Sequence, residues 1–374
     1  MTAWPPPLLT GSLSRPPRLC PGDRVGVFAP SLPIAAHYPD RLAQGLAALA
    51  RTLAVEVVPA GHIHDPGQGF LAGSPAARAR IFEDMVRDPS IRAIFCTLGG
   101  FNSAEILPHL DVDLLRRAPK ILVGYSDATA LLLGIQALAG WVTFHGPAVM
   151  TQFGEHPEPM AWTLDSLRHA IAGDTTGLPL VPPAEWTAER LEWGNGDWRS
   201  RARRLTPAPP CAVWRPGKAR GRLFGGNLET LNMMIGTPYL AVPDPCLLFI
   251  EATEAEAFLP RIRRALVHLD QAGILDRASG LLLGRMPDAT PVFGADLRDT
   301  VMEVVGHRGF PVVADLPLGH TDPLATLPLG ISASLDANDG GGASDDGRAG
   351  EGGVAHIVFD EAATMAPSYE GGRS

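Results

Sequence analysis

Two hydrophobic periods alternate near the start of the chain, and that alternation limits the fold more than any other feature. Short β-rich apolar runs at Arg24–Ala29, Val55–Pro59 and Ala93–Leu98 are separated by helical patterns at Tyr38–Leu53 and around Ala76–Val86. A βαβαβ order predicts a parallel sheet covered by helices on both faces, with ligands received beyond the carboxyl ends of the strands. The expected fold class is α/β. Two strand ends fall at that edge, Thr97-Leu98-Gly99-Gly100 and Gly124-Tyr125-Ser126. No G-x-G-x-x-G follows the first strand and no P-loop pattern occurs, so nothing supports a dinucleotide or nucleoside triphosphate site.

The second of those ends carries the strongest chemical signal. Lys120–Gly124 reads as a buried strand that runs into a sharp turn and then a helix, with Ser126 at the corner. Such a corner projects the hydroxyl clear of the sheet, and the N–H groups opening the helix can stabilise an oxyanion. The usual elbow has a second glycine where this chain has Ala128. Any base must come from elsewhere. Leu247–Ile250 is an apolar strand ending in Glu251, and His320 lies in a turn after another strand. A strand-terminal carboxylate can orient an imidazole, but Glu251 can equally pair at a loop start and His320 can be an ordinary loop histidine. On residues alone, a serine hydrolase is one reading among several.

At 374 residues the chain has the length of about two domains. The expected division is an N-terminal domain over 1–175, a crossover over 176–220 and a C-terminal domain over 221–374. In the last, a helix is predicted at Glu229–Ile235, a strand at Cys246–Ile250, a helix near Ala257–Ala272, and strands at Gly280–Leu283, Val312–Asp315 and Val354–Phe359. The Gly-, Asp- and Ser-rich run Asp339–Gly353 reads as a flexible hairpin loop, and the last residues as a frayed tail. A net charge of −9 argues against a general nucleic-acid binder. No apolar run approaches the 18 residues of a membrane span, and Met1–Pro7 has neither a basic nor an apolar signal region, so no membrane partner and a cytoplasmic setting are expected. Cys20, Cys96, Cys211 and Cys246 are widely spaced and read as free thiols.

Seven short segments then converge on one family. Phe70–Ser74, Gly99-Gly100-Phe101-Asn102-Ser103 with Ala104–Pro108, Gly124–Asp127, Phe144–Pro147, Gly225-Gly226-Asn227-Leu228, Ile235–Tyr239 and Gly319-His320 resemble, in order, the LD-carboxypeptidase family of serine peptidases. The Gly-Gly-Phe-Asn-Ser form and a long tryptophan-bearing insertion are more similar to its microcin C immunity branch than to its murein tetrapeptide branch. The resemblance implies a flavodoxin-like parallel-sheet N-terminal domain, a smaller α/β C-terminal domain and a cleft between them. It implies Ser126 as nucleophile, His320 as general base and Glu251 as its carboxylate, with backbone N–H groups of Gly100 and Asp127 forming the oxyanion hole. It also implies a homodimer, and neither cofactor nor metal.

Other residues admit two readings each. The Asp127 carboxylate is expected as a favourable charge at a helix N-terminus, contributing about 0.3–1 kcal/mol. Asn227 is either a substrate contact or a turn or helix cap. The insertion Glu185–Trp198 holds three of the seven tryptophans. In the resembled branch such rings stack on the adenine of an aminoacyl-adenylate mimic, which makes Trp186 and Trp193 candidates; the alternative is that they latch the crossover to the domains. Eight cationic residues from Arg199 to Arg222, with no acidic residue among them, suggest attraction of an anionic substrate or a solvated crossover. His62 and His64, followed by Asp65, lack a third ligand and read as a surface loop. The expected partner is a small peptide or aminoacyl-nucleotide. Two alternatives remain: release of terminal D-Ala from a murein tetrapeptide, and a two-domain binding protein without catalysis.

Overall fold

The computed structural model describes residues 9–67, 69–338 and 353–366. The first part runs β1 (Arg24–Phe28), α1 (Ile34–His37), α2 (Pro39–Leu53), β2 (Glu56–Pro59), α3 (Pro75–Arg87), β3 (Ile91–Cys96), α4 (Val112–Arg117), β4 (Ile121–Gly124), α5 (Ala128–Ala139), β5 (Thr143–His145) and α6 (Ala161–Ile171). Local chemistry sets several of these bounds. Pro39 and Pro75 occupy first helical turns, Ser74 Oγ accepts from Ala77 N at 3.2 Å, and Leu42, Leu49 and Leu53 give α2 its buried stripe. Every residue of β4 is buried, as a strand covered on both faces requires.

Strands β2-β1-β3-β4-β5 lie side by side and parallel, the flavodoxin-like order. After the crossover strands β6 (Glu185–Trp186), β7 (Thr206–Pro207) and β8 (Ala212–Arg215) come β9 (Gly217–Asn227), α7 (Leu228–Met234), β10 (Cys246–Glu251), α8 (Leu259–Gln271), β11 (Ala278–Gly284), α9 (Leu297–Val305), β12 (Val312–Leu316), β13 (Leu327–Leu329), β14 (Ser332–Asn338) and β15 (Val354–Phe359). The second sheet has the order β15-β14-β9-β10-β11-β12-β8, with β9 to β12 parallel and antiparallel strands at its flanks. Both halves are α/β.

Two connections cross the expected boundaries. β13, from the second half, pairs antiparallel with β5 and completes the first sheet as its sixth strand. The stretch without clear period before Gly221 contains β8 and the start of β9, both in the second sheet. Between the halves lies α5, buried almost all round because it serves both: Thr129 Oγ1 accepts from Asn227 N at 3.1 Å. β14 and β15 pair antiparallel across the predicted hairpin. Residues 339–352 of that predicted loop, the predicted tail beyond 366 and Met1–Pro7 lie outside the described residues.

Candidate active site

β4 ends at Gly124 and α5 begins at Ala128, so the chain must turn within three residues. Ser126 does so with φ of 62°, a left-handed conformation that is uncommon and strained for a side-chain-bearing residue. Its Oγ lies 3.1 Å from His320 Nε2, and His320 Nδ1 lies 2.7 Å from Glu251 Oε2. Glu251 ends β10 and is fully buried. Two glycines make the approach possible. A Cβ on Gly99 would stand 2.9 Å from Ser126 Cβ, and one on Gly319, where φ is 83°, would stand 2.5 Å from Glu251 Cβ and 2.6 Å from its Oε2. An imidazole held between a hydroxyl and a buried carboxylate can take the serine proton and return it to a leaving group.

Electrostatics favour that use. Burial opposes the charge on His320, but the Glu251 carboxylate and its hydrogen bond outweigh burial and raise the imidazole above its ordinary 6.5. Burial likewise pushes Glu251 up, and His320, with a smaller contribution from His145, holds the carboxyl below its usual range. His145 itself is fully buried and pushed down to about 4 by desolvation. It is a neutral ring wedged between Phe249, 5.1 Å away, and Tyr125, which also meets the His320 ring at 5.1 Å.

The loop after β3 is anchored by Asp127 and by two groups that sequence reasoning missed, Ser31 and Arg78. Asp127 stands at the N-cap position of α5 without a side-chain capping hydrogen bond; its Oδ2 accepts from Asn102 N at 3.1 Å and Ser103 N at 3.0 Å. The carboxylate expected as a helix-dipole charge thus stands at the helix N-terminus and also ties the glycine loop to the elbow. Ser31 Oγ accepts from Phe101 N and Asn102 N, and the buried Arg78 donates to the carbonyls of Pro30, Gly73 and Asn102 and to Glu105. Arg78 lies on α3, and its only sequence signal was a basic residue on a buried helix face. Among the described residues no hydrogen bond engages the N–H of Gly100 or Asp127, and both residues line the same cavity as Ser126.

That cavity, about 710 Å³, is lined by Ser126 and His320 and also by Trp193 and Trp198. Trp198 was not singled out from the sequence. Trp186 does not line it; its ring lies 5.4 Å from the Arg285 guanidinium. Asn227 also stands behind the wall: Oδ1 accepts from Thr230 N at 2.9 Å as the N-cap of α7, and Nδ2 donates to Glu256 at 2.7 Å. The cationic strip is not a free field for anions. Arg199 pairs with Asp40, Arg201 and Arg204 with Glu189, Arg203 with Glu155 and Asp322, Lys218 with Asp336 and Arg220 with Asp360, while Arg215 and Arg222 donate to the carbonyls of Gly306 and Gly11. His62 is not on an open loop; it packs on Phe28 with Nε2 3.1 Å from the carbonyl of Ala29. Among the described residues no group of three or more His, Cys, Asp or Glu is arranged to hold a metal.

Comparison with known proteins matches residues 25–146 to the LD-carboxypeptidase N-terminal domain and 220–335 to the LD-carboxypeptidase C-terminal domain. The microcin C7 self-immunity protein of Escherichia coli is 33% identical over 322 residues, covering 85% of this chain and 92% of its own. A probable murein peptide carboxypeptidase of Bacillus subtilis is 31% identical over 325 residues, covering 86% and 91%. The solved structure of a microcin C7 self-immunity protein in complex with aspartyl sulfamoyl adenosine superposes with a TM-score of 0.82 at 29% identity, covering 94% of this chain and 100% of that one.

Proposed function

The chain belongs to the LD-carboxypeptidase family and is a peptidase of that class; from that premise we propose that it hydrolyses the amide of an aminoacyl-nucleotide-like substrate by acyl transfer through Ser126. What carries the reading is the unbroken hydrogen-bonded relay from Ser126 through His320 to Glu251, at 3.1 and 2.7 Å, opening on a cavity that is also lined by aromatic rings. A free serine is too weak an acid to attack an amide at neutral pH. His320 Nε2 takes the proton as Ser126 Oγ adds to the carbonyl, and Glu251 holds the Nδ1–H tautomer and stabilises the imidazolium. The oxyanion that forms faces the N–H groups of Gly100 and Asp127. His320 then returns the proton to the leaving nitrogen, and water, deprotonated by the same imidazole, releases the acid from the serine ester.

The substrate assignment draws on the likeness to the self-immunity protein that binds aspartyl sulfamoyl adenosine and on the half-buried Trp193, which offers a face for a nucleobase. The murein reading is kept alive by the Bacillus subtilis relative. Mass spectrometry of parallel digests of an aminoacyl sulfamoyl adenosine and a murein tetrapeptide ending in D-Ala, with wild type and Ser126→Ala, tests both. Release of the amino acid from the first, lost in the variant, supports the proposal. Loss of D-Ala alone moves the enzyme to murein recycling, and turnover that survives Ser126→Ala removes the serine mechanism. A homodimer in the cytoplasm belongs to the same proposal; light scattering of the purified protein reads the oligomeric part.

A further inference from the structure

Four arginines line the cavity, and one is held differently. Arg190 pairs with Glu254, Arg203 with Glu155 and Asp322, and Arg261 with Glu229. Arg41, on α2 and only 6% exposed, donates from Nε to the carbonyl of Met150 at 2.8 Å and from Nη2 to that of Thr151 at 3.2 Å. No carboxylate accepts a hydrogen bond from it among the described residues. Burying a cation without a paired anion is costly unless something else offers negative potential. The Glu155 and Asp322 carboxylates act on it through space without a hydrogen bond, and two indole faces add to them: the guanidinium carbon lies 4.8 Å from the Trp193 ring centroid and 4.8 Å from that of Trp198. Burial lowers Arg41 to about 10, which leaves it charged at neutral pH.

The two sides of this sandwich come from distant parts of the chain. Arg41 belongs to the first domain, held to its backbone by the two carbonyls, whereas both rings belong to the loop between β6 and β7. Tyr38, one residue before α2, meets Trp193 edge-on at 5.5 Å. Ion pairs of Arg201 and Arg204 with Glu189 and of Arg203 with Glu155 and Asp322 hold the ends of the loop, but its middle, around Trp193, has two glycines, an asparagine and a single turn of 3₁₀ helix. We infer that Arg41 is the positioning residue that holds the tryptophan loop over the cavity and thereby presents Trp193 to a planar group of the substrate. The presentation of Trp193 rests on the proposed nucleotide-bearing substrate; the holding of the loop does not.

The loop carries its own reporter, because Arg199, Arg201 and Arg204 are exposed cleavage points for trypsin. In Arg41→Gln, folded by far-UV circular dichroism, nicking mapped to residues 190–204 should run at least about fivefold faster than in wild type, since cleavage follows the population of the open loop. Arg41→Lys, which keeps the charge but not the planar fork, should fall between the two. If Arg41→Gln does not fold, Trp198→Leu removes the sandwich from the loop side and the same acceleration is expected. For an aminoacyl sulfamoyl adenosine, KM should rise about tenfold in Arg41→Gln with kcat within about twofold. Unchanged nicking in a folded variant overturns the inference, as does faster nicking with an unchanged KM. If wild type turns over only the murein tetrapeptide, the substrate reading fails while the nicking rates still decide whether Arg41 holds the loop.

Discussion

The two walls of the cavity are built on opposite plans. The wall that bears Ser126, His320 and Glu251 hangs from strand ends: the serine follows β4, the glutamate ends β10, and the histidine follows β12. Its side chains, a buried glutamate behind a half-buried histidine and serine, are hydrogen-bonded in series and packed so closely that glycine is required beside two of them. The aromatic wall hangs from a loop, and its rings are fixed by a cation and an edge-on tyrosine instead of by a sheet. A reaction tolerates little displacement of its nucleophile and base, whereas stacking is indifferent to a small shift of a ring. Rigidity is therefore concentrated where bonds change.

The contrast can be broken at measurable points. Ser126→Ala should lower kcat by a factor on the order of 10⁶ while a substrate analogue still binds; retention of more than about one per cent activity in steady-state kinetics would contradict the serine's role. Glu251→Gln should cost about 10⁴ in kcat through the wrong tautomer of His320, with the fold intact by circular dichroism. Gly319→Ala places a Cβ into Glu251 and forces a left-handed alanine, so it should lower thermal stability by about 2 kcal/mol and depress kcat together; a native melting temperature would show that the approach is not tight.

Acidity offers a fourth test. His320 must be neutral to accept a proton and its pKa is raised above 6.5, so kcat/KM should fall on the acid side with a midpoint above pH 6.5. The same shift means that its pairing with Glu251 stabilises the fold fully below pH 6.5 and is lost as pH rises through the folded value. His145 works in the other direction: held neutral, it withdraws stability as pH falls from 6.5 through about 4. The smallest effect belongs to the other wall. Trp193→Ala should raise KM for an adenosine-bearing substrate about tenfold, near 1.4 kcal/mol, without altering kcat. An equal loss in kcat would mean that the two walls are coupled.

The sequence made the first sheet legible because its strands are continuous apolar runs between amphipathic helices, and the expected ends at Arg24, Leu53 and Pro59 fall within a residue or two of β1, α2 and β2. β9 was hidden for a physical reason: Gly217–Asn227 carries four glycines and three cations, and its stability comes from β10 and β14 on either side. β13 is three residues long and has meaning only beside β5. The chemical candidates at strand ends were readable because turns carry local signals. Arg41, Arg78 and Trp198 were not, since each acts through residues far away in the chain, and no local period records a partner at such a distance.

The placement of β13 also sets a schedule for synthesis. A ribosome moving from the N-terminus completes five strands of the first sheet by His145, yet the edge of β5 stays unpaired until Leu329 has emerged. For some 180 residues of elongation, roughly ten to forty seconds at ordinary rates, the nascent domain presents an open strand to its surroundings. Chains stalled or truncated before that point would share the exposed edge, which makes the last third of the message decisive for the solubility of the first.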